Sequence, residues 1–535
     1  VSYLVRELPT VIITMAIAES LWARRRLKLG SLLVMVVCGF YLPGSKGAEW
    51  IFTPRGSVAT IYTDNIFLAP ADEEESEFVV QITPGFLLQG IGSRFDLDLN
   101  YQAQNLFFVR ESGRSTTFNQ LQSQATAELY ENLFFVDARS TISQQIISAR
   151  DRVTTGNLPI TGNRSDVITF GVSPYLRNDF AGYAETELRY TFDTVRIERG
   201  ASDSLSHRVN FDINSGERFT RLRWNGQYRR QQINRSNGDE ALFSRGSDVR
   251  FERAFGLVGY QLTDEYSLLA EAGYTNNDFR SRRNIRNGFF WAVGLEWRPS
   301  RYFSAEALYG PRNKRARITF SPHARVSMEL NWRERDVGLN PGTVFNGFLR
   351  YRRRHSSWEA RYFETTNTIQ QLLTEQQVFA REDPLTGEPI IGPGGEPILV
   401  DPDIFSLTDE VLVRKRFQLT QTYTKGRTSL RFSAFKEERE FGETLRTQDG
   451  FGGNATWTWR FAKRMRSNLR LFAQNIEFSE DDRSDLFWSL QASLTRDLSR
   501  QMQGAVIFQH SERESTQGGR EFQENRVTAQ VTYTF

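Results

Sequence analysis

The chain has 535 residues, of which 39% are hydrophobic and 13% aromatic, and its 67 basic and 64 acidic side chains leave a net charge of +3. That near balance excludes a nucleic-acid footprint, and the single cysteine, Cys38, excludes a disulfide framework or a cysteine metal centre. Beyond the N-terminus no run is apolar enough for a spanning helix, yet membrane strands show lipid an apolar face on alternate residues only and need no such run.

Residues 1–48 read as a cleaved export signal. Arg24-Arg25-Arg26-Leu27-Lys28 precede an apolar stretch from Leu32 to Leu42, and Pro43-Gly44-Ser45-Lys46-Gly47-Ala48 supply small residues for cleavage. The stretch is short for a membrane anchor. Met35-Val36-Val37 before Cys38 lack the small residues of a lipoprotein signal, and Met15 offers a start that gives a more ordinary signal length than Val1.

From Trp50 onward the chain divides into alternating segments. Between Arg94 and Phe107, Phe95, Leu97, Leu99, Tyr101 and Ala103 share one face, with Asp96, Asp98, Asn100, Gln102 and Gln104 on the other. The pattern returns with Leu188, Tyr190 and Phe192 against Glu187 and Arg189, then with Leu222, Trp224 and Tyr228 against Arg223 and Gln227. Trp291, Val293, Leu295 and Trp297 repeat it, as do Phe345, Leu349 and Tyr351, and Ala455, Trp457, Trp459 and Phe461. Strands of roughly ten to fourteen residues exceed the globular norm and suit a tilted bilayer crossing.

Connections alternate between short and long. Tight ones fall near Gly92, Asn132, Asp179, Arg218, Thr263, Pro299, Pro322, His355, Lys425, Ala462 and Leu498. Longer polar stretches include Asp64–Glu77, Ser148–Ser165, Asn234–Gly246, Asn276–Arg286, Ile369–Phe405, Glu437–Gly450 and Ser511–Glu524. The expected fold class is all-β: a transmembrane antiparallel up-and-down β-barrel over residues 49–535 with about 24 strands (22–26), short periplasmic turns and long external loops. Arg317 to Trp332 is the weakest stretch, because Pro322 and many arginines blur its alternation. A propeller or paired sandwiches would need a recurring blade motif or evenly spaced turns, and neither is present.

The chain closes on Val531-Thr532-Tyr533-Thr534-Phe535, an alternating strand ending on an aromatic residue. Such endings resemble those of Gram-negative outer-membrane barrels, so Tyr533 and Phe535 are the expected membrane-insertion signal. That resemblance implies the barrel-assembly machinery as a partner, with outer-membrane lipid and lipopolysaccharide around the wall. Aromatics near strand ends, such as Trp291, Trp297, Trp457 and Trp459, fit interfacial girdles and need no ligand.

The opposite face is expected to line the lumen. It carries Arg189, Arg208, Arg221, Arg223, Arg229, Arg350, Arg352, Arg354, Arg361, Arg414, Arg416, Arg431 and Arg460, more arginine than acid. Cross-strand pairing that stiffens a polar interior is one reading; a basic conduit for an anionic or hydroxyl-rich polymer is the other. A barrel this wide needs a restriction. The longest loop, Ile369–Phe405, with Gly387-Glu388-Pro389-Ile390 and Gly395-Glu396-Pro397-Ile398, is either an inward constriction or an external lid.

No enzyme motif appears in a fitting context, and none of His207, His323, His355 and His510 has metal-ligand spacing with another. No catalytic residue, metal or cofactor is expected. Asp64-Asn65 and the acidic run from Asp72 to Glu75 offer oxygen ligands, though a solvated acidic loop explains them better.

With its opening strand, Trp50-Ile51-Phe52-Thr53-Pro54 running to Ile61-Tyr62-Thr63-Asp64-Asn65-Ile66-Phe67-Leu68, the chain resembles the outer-membrane β-barrel proteins of PEP-CTERM/exosortase systems, which belong with the β-barrel porin families. The resemblance covers nearly the whole chain after the signal and rests on architecture and on that Tyr-Thr-Asp-Asn segment. It implies a non-enzymatic conduit for exopolysaccharide export, with the polysaccharide and periplasmic export proteins as partners. A general diffusion porin and a structural barrel that holds a surface layer are the alternatives.

Overall fold

A computed structural model describes residues 47–154, 156–236, 248–281, 285–375 and 406–535. The expected signal segment therefore lies almost wholly outside the described residues. The first eight strands are β1 (Glu49–Thr63), β2 (Glu77–Ile91), β3 (Phe95–Phe108), β4 (Thr116–Tyr130), β5 (Phe134–Ile146), β6 (Arg164–Asp179), β7 (Ala184–Ile197) and β8 (Asp203–Ser215). Next come β9 (Leu222–Ser236), β10 (Val249–Gln261), β11 (Tyr266–Thr275), β12 (Gly288–Ser300), β13 (Phe303–Gly310), β14 (Asn313–His323), β15 (Val326–Arg335) and β16 (Gly342–Arg352). The last eight are β17 (Ser356–Thr368), β18 (Val411–Lys425), β19 (Thr428–Phe441), β20 (Thr447–Ala462), β21 (Met465–Phe478), β22 (Arg483–Asp497), β23 (Met502–Ser515) and β24 (Phe522–Thr534). One short helix, α1 (Ile369–Glu375), follows β17.

These strands form one 24-stranded sheet in which β24 pairs with β1, from Arg55 opposite Thr534 to Thr63 opposite Arg526. Every pair is between chain neighbours except that one, and closure leaves no sheet edge. The doubtful stretch resolves as the β14–β15 hairpin. Pro322 sits in a register shift between Phe320 and His323, and Pro311 in the tight connection before β14. Strand lengths run from 8 residues in β13 to 16 in β6 and β20, a wider spread than the alternation suggested.

Two expected loops are shorter than their polarity implied. β19 continues through Glu437 and Arg439 to Phe441, and β23 continues to Ser515, so the connections reduce to 442–446 and 516–521. Alternate polar residues there, Glu437, Arg439, Ser511 and Arg513, belong to the inner face of strands. Glu437 sits in the ladder opposite Arg416.

Following the register around the cylinder separates two faces. Val58, Tyr62, Trp291, Trp457 and Val531 lie on one, exposed and apolar. Asp96, Arg189, Glu271, Arg416 and Glu524 lie on the other, which the inserted loops also touch. A closed ladder with an apolar exterior and a polar interior satisfies every backbone group in lipid. The chain is an integral outer-membrane β-barrel.

The wall is unevenly curved. On the outer face of β3, Phe95, Leu97 and Leu99 are buried under Trp50, Phe86, Leu88 and Leu121, while Asp96 and Asp98 behind them are exposed to the lumen. Outward side chains can be covered by their own neighbours only where the wall bends toward the lumen, so β2–β5 form an indentation. At β11–β15 the bend is opposite: Glu271 inside is 3% exposed and Tyr309 outside 69%. Glycines permit that tight fold. A Cβ on Gly294 would lie 1.9 Å from the Ala307 carbonyl oxygen, and one on Gly310 1.9 Å from that of Trp291.

Candidate conducting surface and its constriction

An isolated buried charge costs several kcal/mol, so an acid inside the wall must gather cations. Glu437 accepts from Arg414 at 2.6 Å and Arg416 at 2.8 Å, and Arg439 completes its shell. Asp485 holds Arg483 at 2.7 Å and Arg513 at 2.6 Å. Glu271 holds Arg315 at 3.1 Å and Arg335 at 3.8 Å, with Asn313 donating to it. Asp193 faces Arg139 at 2.8 Å and Arg208 at 4.0 Å. Glu524 pairs with Arg526 at 2.7 Å and also accepts from the Thr63 hydroxyl across the closing seam. Nearer the short-turn end, Glu359 joins Arg350 and Arg361, while Arg189 bridges Asp137 and Glu187.

Among the sequence-chosen arginines, the register puts Arg189, Arg208, Arg223, Arg229, Arg350, Arg352, Arg361, Arg414, Arg416, Arg431 and Arg460 on the inner face. Arg221 and Arg354 lie in short connections at the mouth instead. The set is not uniform. Arg416 is 1% exposed and locked onto Glu437, whereas Arg223, Arg229, Arg352 and Arg460 meet lumenal water. Both readings of the face therefore apply to different residues: paired stiffening for some, a wetted basic surface for others.

Sequence reasoning passed over Arg139, Arg315, Arg335, Arg483, Arg513 and Arg526, which the structure sets on acids. A signal existed. Residues two apart on a strand share a face, and Glu187/Arg189, Glu437/Arg439, Arg483/Asp485 and Glu524/Arg526 all have that spacing and all pair.

At the long-loop end the lumen is crossed by a strap, the described part of residues 147–163 between β5 and β6. Arg483 donates to the Arg150 carbonyl at 2.6 Å, and Arg513 donates to the carbonyls of Arg150 and Asp151. Ala149 and Val153 pack on Phe472, Phe487 and Phe522 of β21, β22 and β24, and Leu158 packs beside Ile61 and Leu106. Arg150 pairs with Glu480 at 2.6 Å, and Arg520 with Asp151 at 2.6 Å.

A second crossing comes from the connection between β17 and β18. Ile369 and Leu373 of α1, with Leu407 and Leu412, pack against Val167, Val195 and Ile197 of β6 and β7 on the far wall. Gln371 donates to Gln231 at 2.7 Å, and the Leu407 amide donates to the Ile147 carbonyl at 3.0 Å, joining both crossings. The described flanks of the longest loop thus fold inward. Its Gly-Glu-Pro-Ile repeats lie outside the described residues. Sequence length singled out that loop but not the 147–163 strap, whose small and polar residues resemble any external loop.

The histidines serve local roles. His207, on the outer face, bonds the Tyr190 hydroxyl at 2.7 Å, and His510 bonds Asn525. The Asp64 carboxylate accepts from the Asn525 amide and side chain, both at 2.7 Å, and so ties the β1–β2 loop to β24. Among the described residues no His, Cys, Asp and Glu group suits a metal ion.

No protein-family model matches the chain, and no curated protein sequence matches it. Solved structures do. The siderophore receptor PirA from Acinetobacter baumannii matches at 10% identity and a TM-score of 0.43, covering 90% of this chain and 80% of that one. The FrpB iron transporter from Neisseria meningitidis (F5-1 variant) matches at 10% identity and 0.43, covering 92% and 83%. A mutant of the ferric enterobactin receptor PfeA from Pseudomonas aeruginosa matches at 11% identity and 0.41, covering 90% and 80%. Similarity at that level assigns no function, and the barrel stands on its own closed ladder.

Proposed function

We propose that the protein is a non-enzymatic outer-membrane conduit for an anionic or hydroxyl-rich polymer, namely exopolysaccharide released in a PEP-CTERM/exosortase-type system. The observation that carries this reading is the wetted arginine surface of Arg223, Arg229, Arg352 and Arg460 leading toward a lumen narrowed at the long-loop end. Basic walls lower the barrier to anions. A chain of hydroxyls and carboxylates moving past such a wall exchanges one guanidinium for the next without a deep binding minimum. Polysaccharide, periplasmic export partners and the surrounding lipopolysaccharide are the partners this role requires, and it uses no cofactor.

Replacing Arg221, Arg223, Arg350 and Arg352 with Glu tests it. In planar bilayers the variant should lose anion preference and turn cation-selective, and cells carrying it should release less polymer. Unchanged selectivity together with unchanged release would remove the role of the wall. The general porin differs in one respect: a chromosomal deletion would alter small-solute uptake and leave secreted polymer intact.

A further inference from the structure

The folded wall of β9–β15 has more arginine than its acids can serve. Glu271 and Glu306 share Arg315, and Glu271 also takes Arg335. Arg229 and Arg253 stand directly opposite each other on β9 and β10, and Arg315 and Arg333 do so on β14 and β15. Like charges face to face across a ladder oppose folding. Such pairs persist when something else uses the charge. Arg229, Arg315 and Arg333, and with them the one Glu271 carboxylate, lie close enough to Arg253 for their charges to act on it, so three like charges outweigh a single acid that Arg315 and Arg335 already hold.

Two further observations point to a ligand. The Nε atoms of Arg253 and Arg333 are buried and have no hydrogen-bond partner among the described residues, where neither side chain forms an ion pair. The Arg253 guanidinium lies 5.0 Å from the ring centroid of Phe255, which shares its inner face and is half-buried. A guanidinium pair beside an apolar ring suits a sugar carrying a carboxylate: the arginines take the anion in a fork, and the ring takes the flat face of the pyranose.

We infer that Arg253 and Arg333, with Arg229 and Phe255, form a binding site for acidic sugar units on the lumenal wall. This rests on the conduit reading and gives it a substrate class, a uronate-bearing polysaccharide rather than a neutral one. The site lies toward the long-loop end of the β9–β15 wall, where an emerging polymer would pass last.

The test is calorimetry on the full chain in detergent, with a galacturonate hexamer, the neutral hexamer maltohexaose and inorganic phosphate as probes. The galacturonate hexamer should bind, R253Q/R333Q should weaken it by about tenfold or more, and R253K/R333K should recover part of the loss. Heat-modifiable gel migration of each variant keeps misfolding from mimicking that result. Equal affinity in wild type and R253Q/R333Q, or equal binding of maltohexaose, overturns the site. Displacement of the hexamer by an equal concentration of phosphate overturns the saccharide assignment. Conductance in bilayers without hexamer binding sinks this site alone, whereas binding without conductance upholds the site and sinks the conduit.

Discussion

The indentation at β2–β5 and the fold at β11–β15 obey the same alternation and bury opposite faces. In the first, outward leucines are covered and inward aspartates are wet; in the second, an inward glutamate is sealed under arginines and outward aromatics are bare. Period two assigns a side chain to a face. Curvature then decides how much water that face meets, and with it the energetic weight of each residue.

The largest expected effect separates two inner acids. Glu271→Ala strands Arg335 in the wall, leaves Arg315 to Glu306 alone and should cost about 3–5 kcal/mol, read as a lower midpoint in urea-driven unfolding from lipid vesicles. Asp98→Ala, on the wet side of the indentation, should stay within about 0.5 kcal/mol. Similar losses for both would mean that the two regions do not differ in burial.

A smaller contrast concerns the outer face. Leu99, 3% exposed, should cost about 2–4 kcal/mol on truncation to Ala. Leu295, 40% exposed on the outer side of the fold, should cost less than about 1 kcal/mol. The same unfolding assay in vesicles reads both, and an equal loss would argue for an evenly curved cylinder.

Those contrasts mark how far the sequence could be read. Alternation through Phe95–Phe107 and Trp291–Trp297, with short turns at Asn132 and His355, was enough to place the strands and the closing pair. Glu437 and Ser511 read as loop residues in the sequence because inner-face polarity and loop polarity look alike in one dimension. The strap at 147–163 was illegible for another reason. Its partners, Arg483, Arg513 and Phe487, are more than three hundred residues away and meet it only after the cylinder closes. Arg253 and Arg333 were invisible as neighbours because they sit on strands five apart in the sheet and face each other only across its inner side, which no local pattern encodes.

Everything rests on a cylinder with lipid outside and water inside, and thiol labelling addresses that directly. In a Cys38→Ser background, single cysteines at Asp98 and Arg223 should react within minutes with a charged maleimide in proteoliposomes, while cysteines at Trp457 and Val531 should stay unmodified. Equal labelling at all four positions, or labelling of the second pair alone, would contradict the account.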